Sequence, residues 1–233
     1  MQAVILAGGQ STRLKPLTNK VPKSLVEICG KPFLEYQLDF LKRSGLEDII
    51  LCVGYLGEQI VNHCGNGRQF EVNISCSYDG KHLLGTAGAL KNAERLLEDE
   101  FFVIYGDSYL FLDFTSIVSY FNEFNKLGLM VVYRNYDRYD RSNVVVEGKL
   151  IKKYSKQDRT KEMVYIDYGA SILRKKALEL VPPNQAYSLE ELFGQLIEWG
   201  ELLAYEVNKR FYQIGSPEGL EEFRNFVLTG KIL

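Results

Sequence analysis

The sequence is poor in the features that announce the simplest functional classes. It has two histidines, His63 and His82, too isolated to suggest a metal cluster, so contact with solvent or a nucleotide base suffices for either. Its four cysteines, Cys29, Cys52, Cys64 and Cys76, form no CxxC pair and no disulfide-scaffold spacing. Cys52 sits within the apolar run from Ile49 to Val53 and reads as a small buried hydrophobe. Reduced thiols and a cytoplasmic location are therefore expected. The N-terminus lacks a basic segment and its apolar run, Ala3 to Ala7, is brief, so it reads as a core strand and not as a signal peptide. No run approaches the roughly 18 apolar residues of a membrane span, so no membrane partner is expected. With 28 basic against 30 acidic residues, the formal charge of −2 argues against a nucleic-acid-binding surface. Repeats, low-complexity tracts and linker-like stretches are lacking too, and one domain over 1–233 is the simplest organisation.

What is present is concentrated between Ala3 and Lys23. Ala3-Val-Ile-Leu6 reads as a short strand buried on both faces, broken at Ala7-Gly8-Gly9, where small side chains let a ligand approach the backbone. Gln10, Ser11 and Thr12 add amide and hydroxyl groups, while Arg13, Lys15 and Lys23 add positive charge. A strand ending in a glycine turn followed by cations suggests a polyphosphate site at the carboxyl end of a parallel sheet. Two common phosphate motifs are missing, however. No Gly-Lys-Ser/Thr completes GxxxxGK[ST], and GxGxxG lacks its alternating glycines.

Along the chain, apolar spacing predicts a helix from Phe33 to Ser44, with Leu34, Leu38 and Leu41 on one face. Strands are expected over Asp48–Val53, Val72–Tyr78 and Phe101–Tyr105, separated by helices over Gly57–Cys64 and about Thr86–Leu97. Asp79-Gly80 reads as a turn. Four alternations of strand and helix in about 105 residues are the pattern of a parallel, doubly wound sheet. Beyond it, Leu112–Lys126 reads as helical and Gly128–Tyr133 as a strand. The chain then turns β-rich at Val144–Val146, Leu150-Ile151 and Val164–Leu173. Ser188 and Glu191 make a capping box for a helix through Trp199. Late strands are expected at Leu202–Val207 and Arg210–Ile214, and Ser216-Pro217 opens a last helix with Leu220, Phe223 and Val227 inward.

From Val4 to Lys23 the chain resembles the signature of nucleotidyltransferases that make nucleotide-sugars from a nucleoside triphosphate and a sugar 1-phosphate. Their pattern is an apolar strand, Ala-Gly-Gly-x-Gly-Thr-Arg-Leu, x-Pro-Leu-Thr and Pro-Lys, and Ser11 here replaces the third glycine. Gly106-Asp107 in the middle and Ile214-Gly-Ser-Pro-Glu218 near the end extend the likeness over nearly the whole chain. It is closest to compact members such as heptose 1-phosphate guanylyltransferases and N-acetylmuramate 1-phosphate uridylyltransferases. Longer relatives add a β-helical C-terminal domain, which is not seen here, so acetyl transfer is not expected. The resemblance implies a Rossmann-like α/β three-layer sandwich of glycosyltransferase type A, with a mixed, mostly parallel sheet. About 1–110 would bind nucleotide and about 111–233 the acceptor, in a monomer or small homo-oligomer.

The resemblance also implies roles. Arg13 would fork onto the triphosphate, and Lys23 would act as a point charge between the α-phosphate and the acceptor phosphate. Asp107, at the end of a buried strand, would be the main Mg²⁺ ligand. Leu6, Ala7, Gly8, Gly9, Ser11 and Thr12 would line the nucleotide, with Gly85 and Thr86 bordering base and ribose. A helix entry shaped only by packing is the lesser alternative for those two residues. On the acceptor side stand Asn143, Lys156, Asp167 and Gly169. Lys156 follows Ser155 where relatives have glutamate, and Asp167 fits either an acceptor contact or a strand-end cap. Gln213 replaces the acid that is the second metal ligand; an amide oxygen binds Mg²⁺ without the charge that makes such a site tight. The segment from Tyr133 to Ser142 alternates aromatics and arginines, but Asp137 and Asp140 offset the charge, so it reads as a loop bordering the acceptor.

Three functions follow as expectations. The first is Mg²⁺-dependent joining of a nucleoside monophosphate to a sugar 1-phosphate with release of pyrophosphate. The second is cytidylyl transfer to a non-sugar phosphate such as phosphocholine. The third, prompted by Gln213, is a nucleotide- or nucleotide-sugar-binding protein with weak turnover.

Overall fold

A computed structural model of the chain describes residues 1–80 and 82–232. It opens with β1 (Gln2–Leu6), passes through tight turns and the two-residue strands β2 (Glu27–Ile28) and β3 (Lys31–Pro32), and enters α1 (Phe33–Arg43). Then β4 (Asp48–Val53), α2 (Gly57–Cys64), β5 (Asn73–Tyr78), α3 (Gly85–Asn92) and β6 (Glu100–Tyr105) alternate. The short β7 (Ser108–Tyr109) and α4 (Phe114–Asn122) follow, with β8 (Gly128–Arg134), β9 (Val144–Glu147), β10 (Leu150–Tyr154) and β11 (Tyr165–Arg174) behind them. The chain ends through α5 (Leu189–Glu198), β12 (Leu202–Val207), β13 (Tyr212–Gln213) and α6 (Pro217–Leu228).

Nine strands form one sheet in the order β5-β4-β1-β6-β11-β8-β12-β10-β9. The first four are parallel, as the strand–helix alternation predicts. β11 then lies antiparallel between β6 and β8, and β12 is parallel to β8. The parallel, doubly wound pattern thus covers the first half, and the second half makes the sheet mixed. Helices cover both faces. Ala3 and Ile5 pack on one side with Leu34, Ile60, Phe102 and Ile117, while Val4 packs on the other with Leu90, Val103, Phe193 and Leu196. Successive residues of a strand face opposite layers, and here both layers are apolar, hence the unbroken run of Ala3 to Leu6.

Three predicted elements change. The strand expected over Arg210–Ile214 shrinks to β13, which pairs with β7 outside the main sheet. The Arg210 guanidinium lies 3.9 and 4.3 Å from the ring centres of Tyr139 and Tyr212. The helix expected over Leu112–Lys126 starts later, because the Asp113 side chain accepts from Ser116 N and caps it. The helix expected to reach Leu97 stops at Asn92 and gives way to a tight turn over Glu94–Leu96. The Ser188–Glu191 capping box and the Ser216 cap with Pro217 form as the sequence predicts. α6 is anchored by the buried Phe223, whose ring lies 5.1 Å from those of Phe33 and Tyr109. No helix among the described residues is long and apolar enough to cross a membrane.

Candidate active site

Leu6 and Tyr105 are register partners in β1 and β6, so Ala7-Gly8 and Gly106-Asp107 leave the sheet at the same edge. The two turns touch: a Cβ on Gly106 would come within 2.6 Å of the Leu6 carbonyl oxygen, a spacing only glycine permits. Pro22 directs the chain into a tight turn over Lys23–Leu25, which brings Lys23 Nζ 2.6 Å from Asp107 Oδ2. Ser108 Oγ donates to Asp107 Oδ1 at 3.2 Å. Burial pushes the Asp107 carboxyl up, but the adjacent Lys23 ammonium, the Ser108 hydroxyl and the Lys156 charge outweigh it and hold the group below the usual carboxylate range.

Two cavities open on either side of this pair. The first, about 280 Å³, is lined by Leu6, Ala7, Gly8, Gly9, Ser11, Lys23, Gly85 and Thr86 from the predicted set. Thr12 is exposed on its tight turn and lines neither cavity. Ser11 adopts φ 51° and ψ 47°, the left-handed conformation that costs a residue with a Cβ about 1–2 kcal/mol. The glycine of the family pattern suits this position for that reason. The Thr86 hydroxyl accepts from Leu189 N at 2.6 Å and so ties α3 to α5.

The second cavity, about 310 Å³, is lined by Arg13, Asn143, Lys156, Asp167, Gly169 and Gln213. Asp140, Arg141 and Ser142 of the aromatic–arginine segment border it too. Arg13 therefore lies on the side away from the glycine turn. Asp107, Tyr105 and Lys156 line both cavities. A carboxylate from α5 reaches this segment: Glu190 Oε1 accepts from Ser155 Oγ at 3.0 Å and from Lys156 N at 2.9 Å. The Lys156 ammonium stands 5.2 Å from the Tyr105 ring centre.

Asp167 is buried, and protein groups occupy its carboxylate. Oδ2 accepts from Tyr105 Oη at 2.7 Å and Tyr154 Oη at 3.1 Å, while Oδ1 accepts from Gly169 N at 3.0 Å. Three of its roughly four acceptor positions are filled. It holds the Tyr105 ring in place and carries a local irregularity of β11, where the register against β8 shifts between Asp167 and Ser171. Asp167→Ala is expected to strand two buried phenol hydroxyls and lower stability by about 2–5 kcal/mol, measured by urea unfolding. A change below about 0.5 kcal/mol would show that water replaces the carboxylate freely.

Gln213 arrives beside Asp107 because β13 pairs with β7 and sets Gln213 opposite Ser108, with Ile214 N donating to the Asp107 carbonyl at 2.9 Å. Its Oε1 accepts from Gly215 N, and its Nε2 packs on Gly219 at the start of α6. A Cβ on Gly215 would lie 2.9 Å from Gln213 Oε1, 3.1 Å from Arg13 Nη2 and 3.3 Å from Asp107 Oδ2. Glycine here keeps open a space rimmed by a carboxylate oxygen, an amide oxygen and a guanidinium. The carboxylate and amide oxygens suit one hard cation if phosphate and water supply the other positions, and the guanidinium, itself a cation, suits a phosphate instead. No group of three His, Cys, Asp or Glu that would hold a metal alone exists among the described residues.

Several lining residues lie outside the sequence reading. Asp79 lines the first cavity, and an acid just past a parallel strand is itself a signal, although the sequence there reads as a turn. Its carboxyl is pushed up by burial, against the pull of the Leu84 N–H. Tyr105, which the sequence pattern marks only as strand, immediately precedes Gly106-Asp107 and lines the cavity. Ser24 Oγ, next to Lys23, is buried with no hydrogen-bond partner among the described residues and lines the first cavity.

Residues 2–228 match the family model described as nucleotidyl transferase. The chain is 32% identical over 224 residues to the mannose-1-phosphate guanylyltransferase catalytic subunit beta of Danio rerio, covering 94% of this chain and 62% of that protein. It is 30% identical to the D-glycero-alpha-D-manno-heptose 1-phosphate guanylyltransferase of Campylobacter jejuni, covering 96% of this chain and 98% of that one. Among solved structures, HddC from Yersinia pseudotuberculosis complexed with GMP-PN superposes with a TM-score of 0.82 at 28% identity, covering 97% and 99% of the two chains. The chain thus spans about three-fifths of the length of several relatives, such as the Danio rerio subunit, and nearly all of others. A match running from β1 to the end of α6, with the glycine turn, Lys23 and Asp107 gathered at one sheet edge, places this chain in the nucleotidyl transferase family.

Proposed function

We propose that the chain transfers a nucleoside monophosphate from a nucleoside triphosphate to a sugar 1-phosphate, releasing pyrophosphate with the help of Mg²⁺. The observation that carries this reading is the pair of cavities meeting at Asp107 and Lys156, one beside a glycine turn and the other rimmed by polar and cationic groups. The relatives named for guanylyl transfer to mannose 1-phosphate and heptose 1-phosphate support it. In this reading the first half holds nucleotide and the second half holds acceptor.

The acceptor phosphate oxygen is already anionic and attacks the α-phosphorus in line. A new P–O bond forms, the bond to the β-phosphate oxygen breaks, and pyrophosphate carries the charge away. No protein nucleophile or base is needed. The task is to hold two repelling anions together and stabilise the charge that builds between them. Lys23 faces that junction from the nucleotide cavity, Arg13 from the acceptor side, and Lys156 borders both. Asp107 and Gln213 would hold Mg²⁺, which when bound neutralises phosphate charge and fixes its geometry. Incubation with each triphosphate, Mg²⁺ and a panel of sugar 1-phosphates and phosphocholine, reading pyrophosphate, tests the assignment. Release with no acceptor, or with phosphocholine alone, would overturn it.

The amide at 213 motivates one alternative, nucleotide binding with weak turnover, which the relatives named for nucleotidyl transfer do not favour. Gln213→Glu should lower the Mg²⁺ concentration for half-maximal rate several-fold, since a charged acceptor bonds roughly twice as strongly as a neutral one. A rate found only in the variant would instead make the parent a binding protein. A lower rate would move residue 213 off the metal and onto acceptor or base.

A further inference from the structure

Gln37 is a polar residue within an apolar stripe. It shares the inward face of α1 with Leu34, Leu38 and Leu41 and is buried with them. That spacing makes it a core position, where a leucine would pack without an amide to satisfy. The amide nitrogen makes two hydrogen bonds, and both reach the turn that carries Asp107. Nε2 donates to the Tyr105 carbonyl at 2.9 Å and to the Ser108 carbonyl at 2.8 Å. These carbonyls stand at the two ends of Tyr105-Gly-Asp-Ser108, the segment that leaves β6 and enters β7. The amide oxygen is buried with no hydrogen-bond partner among the described residues. An apolar side chain would avoid that orphaned acceptor, so the donors are what this position uses.

We propose that Gln37 is a positioning residue, which clamps this turn so that Asp107 and Gln213 are held where both can serve one cation. This rests on reading the space beside Gly215 as the Mg²⁺ site. Main-chain bonds tie the turn to its neighbours: Gly106 N donates to the Leu6 carbonyl at 3.0 Å and Ile214 N to the Asp107 carbonyl at 2.9 Å. The first holds it to β1 and the second to β13, while Gln37 joins its two ends to α1. Ser108 is also the register partner of Gln213 in the β7–β13 pair. One amide thus fixes the residue after the carboxylate and, through it, the strand that brings Gln213. Gln37 lines neither the first nor the second cavity, so it acts through the turn and not on substrate. Mg²⁺ demands near-ideal octahedral geometry, and groups behind the ligands supply that definition.

The test is Mn²⁺ binding read by electron paramagnetic resonance, with GTP present and again without it. It compares the parent, Asp107→Asn, Gln37→Met and the double variant. Methionine keeps the length, packs well and propagates a helix, but it donates nothing. Circular dichroism checks the fold. Gln37→Met should weaken Mn²⁺ binding by about threefold or more, and by less than Asp107→Asn does. The two effects should not multiply: with Asp107→Asn in place, Gln37→Met should change Mn²⁺ affinity by less than about twofold. A lower urea midpoint with unchanged Mn²⁺ affinity would leave Gln37 a packing residue and overturn the proposal. Effects that multiply in the double variant would do the same. Absence of Mn²⁺ binding by the parent under both conditions overturns it as well. If Gln37→Met does not fold, Gln37→Asn takes its place with the same expectation, being one methylene shorter and unable to keep both bonds. None of these readings uses turnover. Failure to release pyrophosphate with every acceptor would therefore refute the transferase reading and leave the clamp standing.

Discussion

Lys23→Ala is expected to lower kcat by about 10²-fold or more while the fold is retained, as for loss of a preorganised charge-stabilising group. Lys23 sits on a tight turn outside the main sheet, so it contributes charge and little packing. The consequence reaches further than one missing cation, because its ammonium is the principal group holding the Asp107 carboxyl low against burial. In the parent a depressed carboxyl contributes stability above its unfolded pKa, and that contribution is lost as pH falls through the folded value. Without Lys23, burial acts unopposed by its nearest cation and the carboxyl titrates higher. The acid limb of the pH–rate profile should therefore move to higher pH in Lys23→Ala, alongside the fall in kcat. Arg13→Ala should reduce kcat in the same direction without moving that limb, since Arg13 forms no ion pair with Asp107. Near-normal rates in both variants, with any acceptor that works, would refute the assignment of these cations to the phosphates. A reduced rate with an unmoved acid limb would separate Lys23 from the ionisation of Asp107.

Asp107→Asn should raise the Mg²⁺ requirement more than loss of any other acidic residue. Gln213 is neutral and its oxygen accepts from Gly215 N, so Asp107 is the carboxylate that rims the space beside Gly215. Asparagine keeps the shape and an oxygen but removes the charge that a hard cation requires. Half-maximal rate is expected at about tenfold higher Mg²⁺ or more, with a lower plateau, each charged contact being worth about 1.5–3 kcal/mol. A titration of rate against Mg²⁺ for both proteins decides it. If Asp107→Asn reaches the parent rate at the same Mg²⁺, the metal must bind elsewhere. The variant also leaves Lys23 without its partner, so a modest loss of stability belongs to the same result.

Local pattern alone determined a good deal of this protein. Ala3 to Leu6 reads as a doubly covered strand because a half-exposed strand would alternate with polar residues, and the run is too short for a buried helix. The spacing of Leu34, Leu38 and Leu41 determined α1, and Ser188 with Glu191 determined the start of α5, since both depend on contacts within one turn. The glycine turn, Lys23 and Gly106-Asp107 were legible as candidates because each stands where a strand stops and charge begins.

The tertiary structure decided what those candidates meet. Arg13 lines the second cavity and not the one beside the glycine turn. Asp167 serves Tyr105 and Tyr154, which are 62 and 13 residues away, and Glu190 accepts from the Lys156 main chain 34 residues away. Asp79 enters the cavity only because β5 ends next to the turns of β1 and β4. Gln213 reaches Asp107 through a two-residue strand pair that no periodicity marks. Hydrophobic period reports which way a residue faces within its own element. It carries no information on which element lies opposite, and a polar site is built from such pairings between ends of strands.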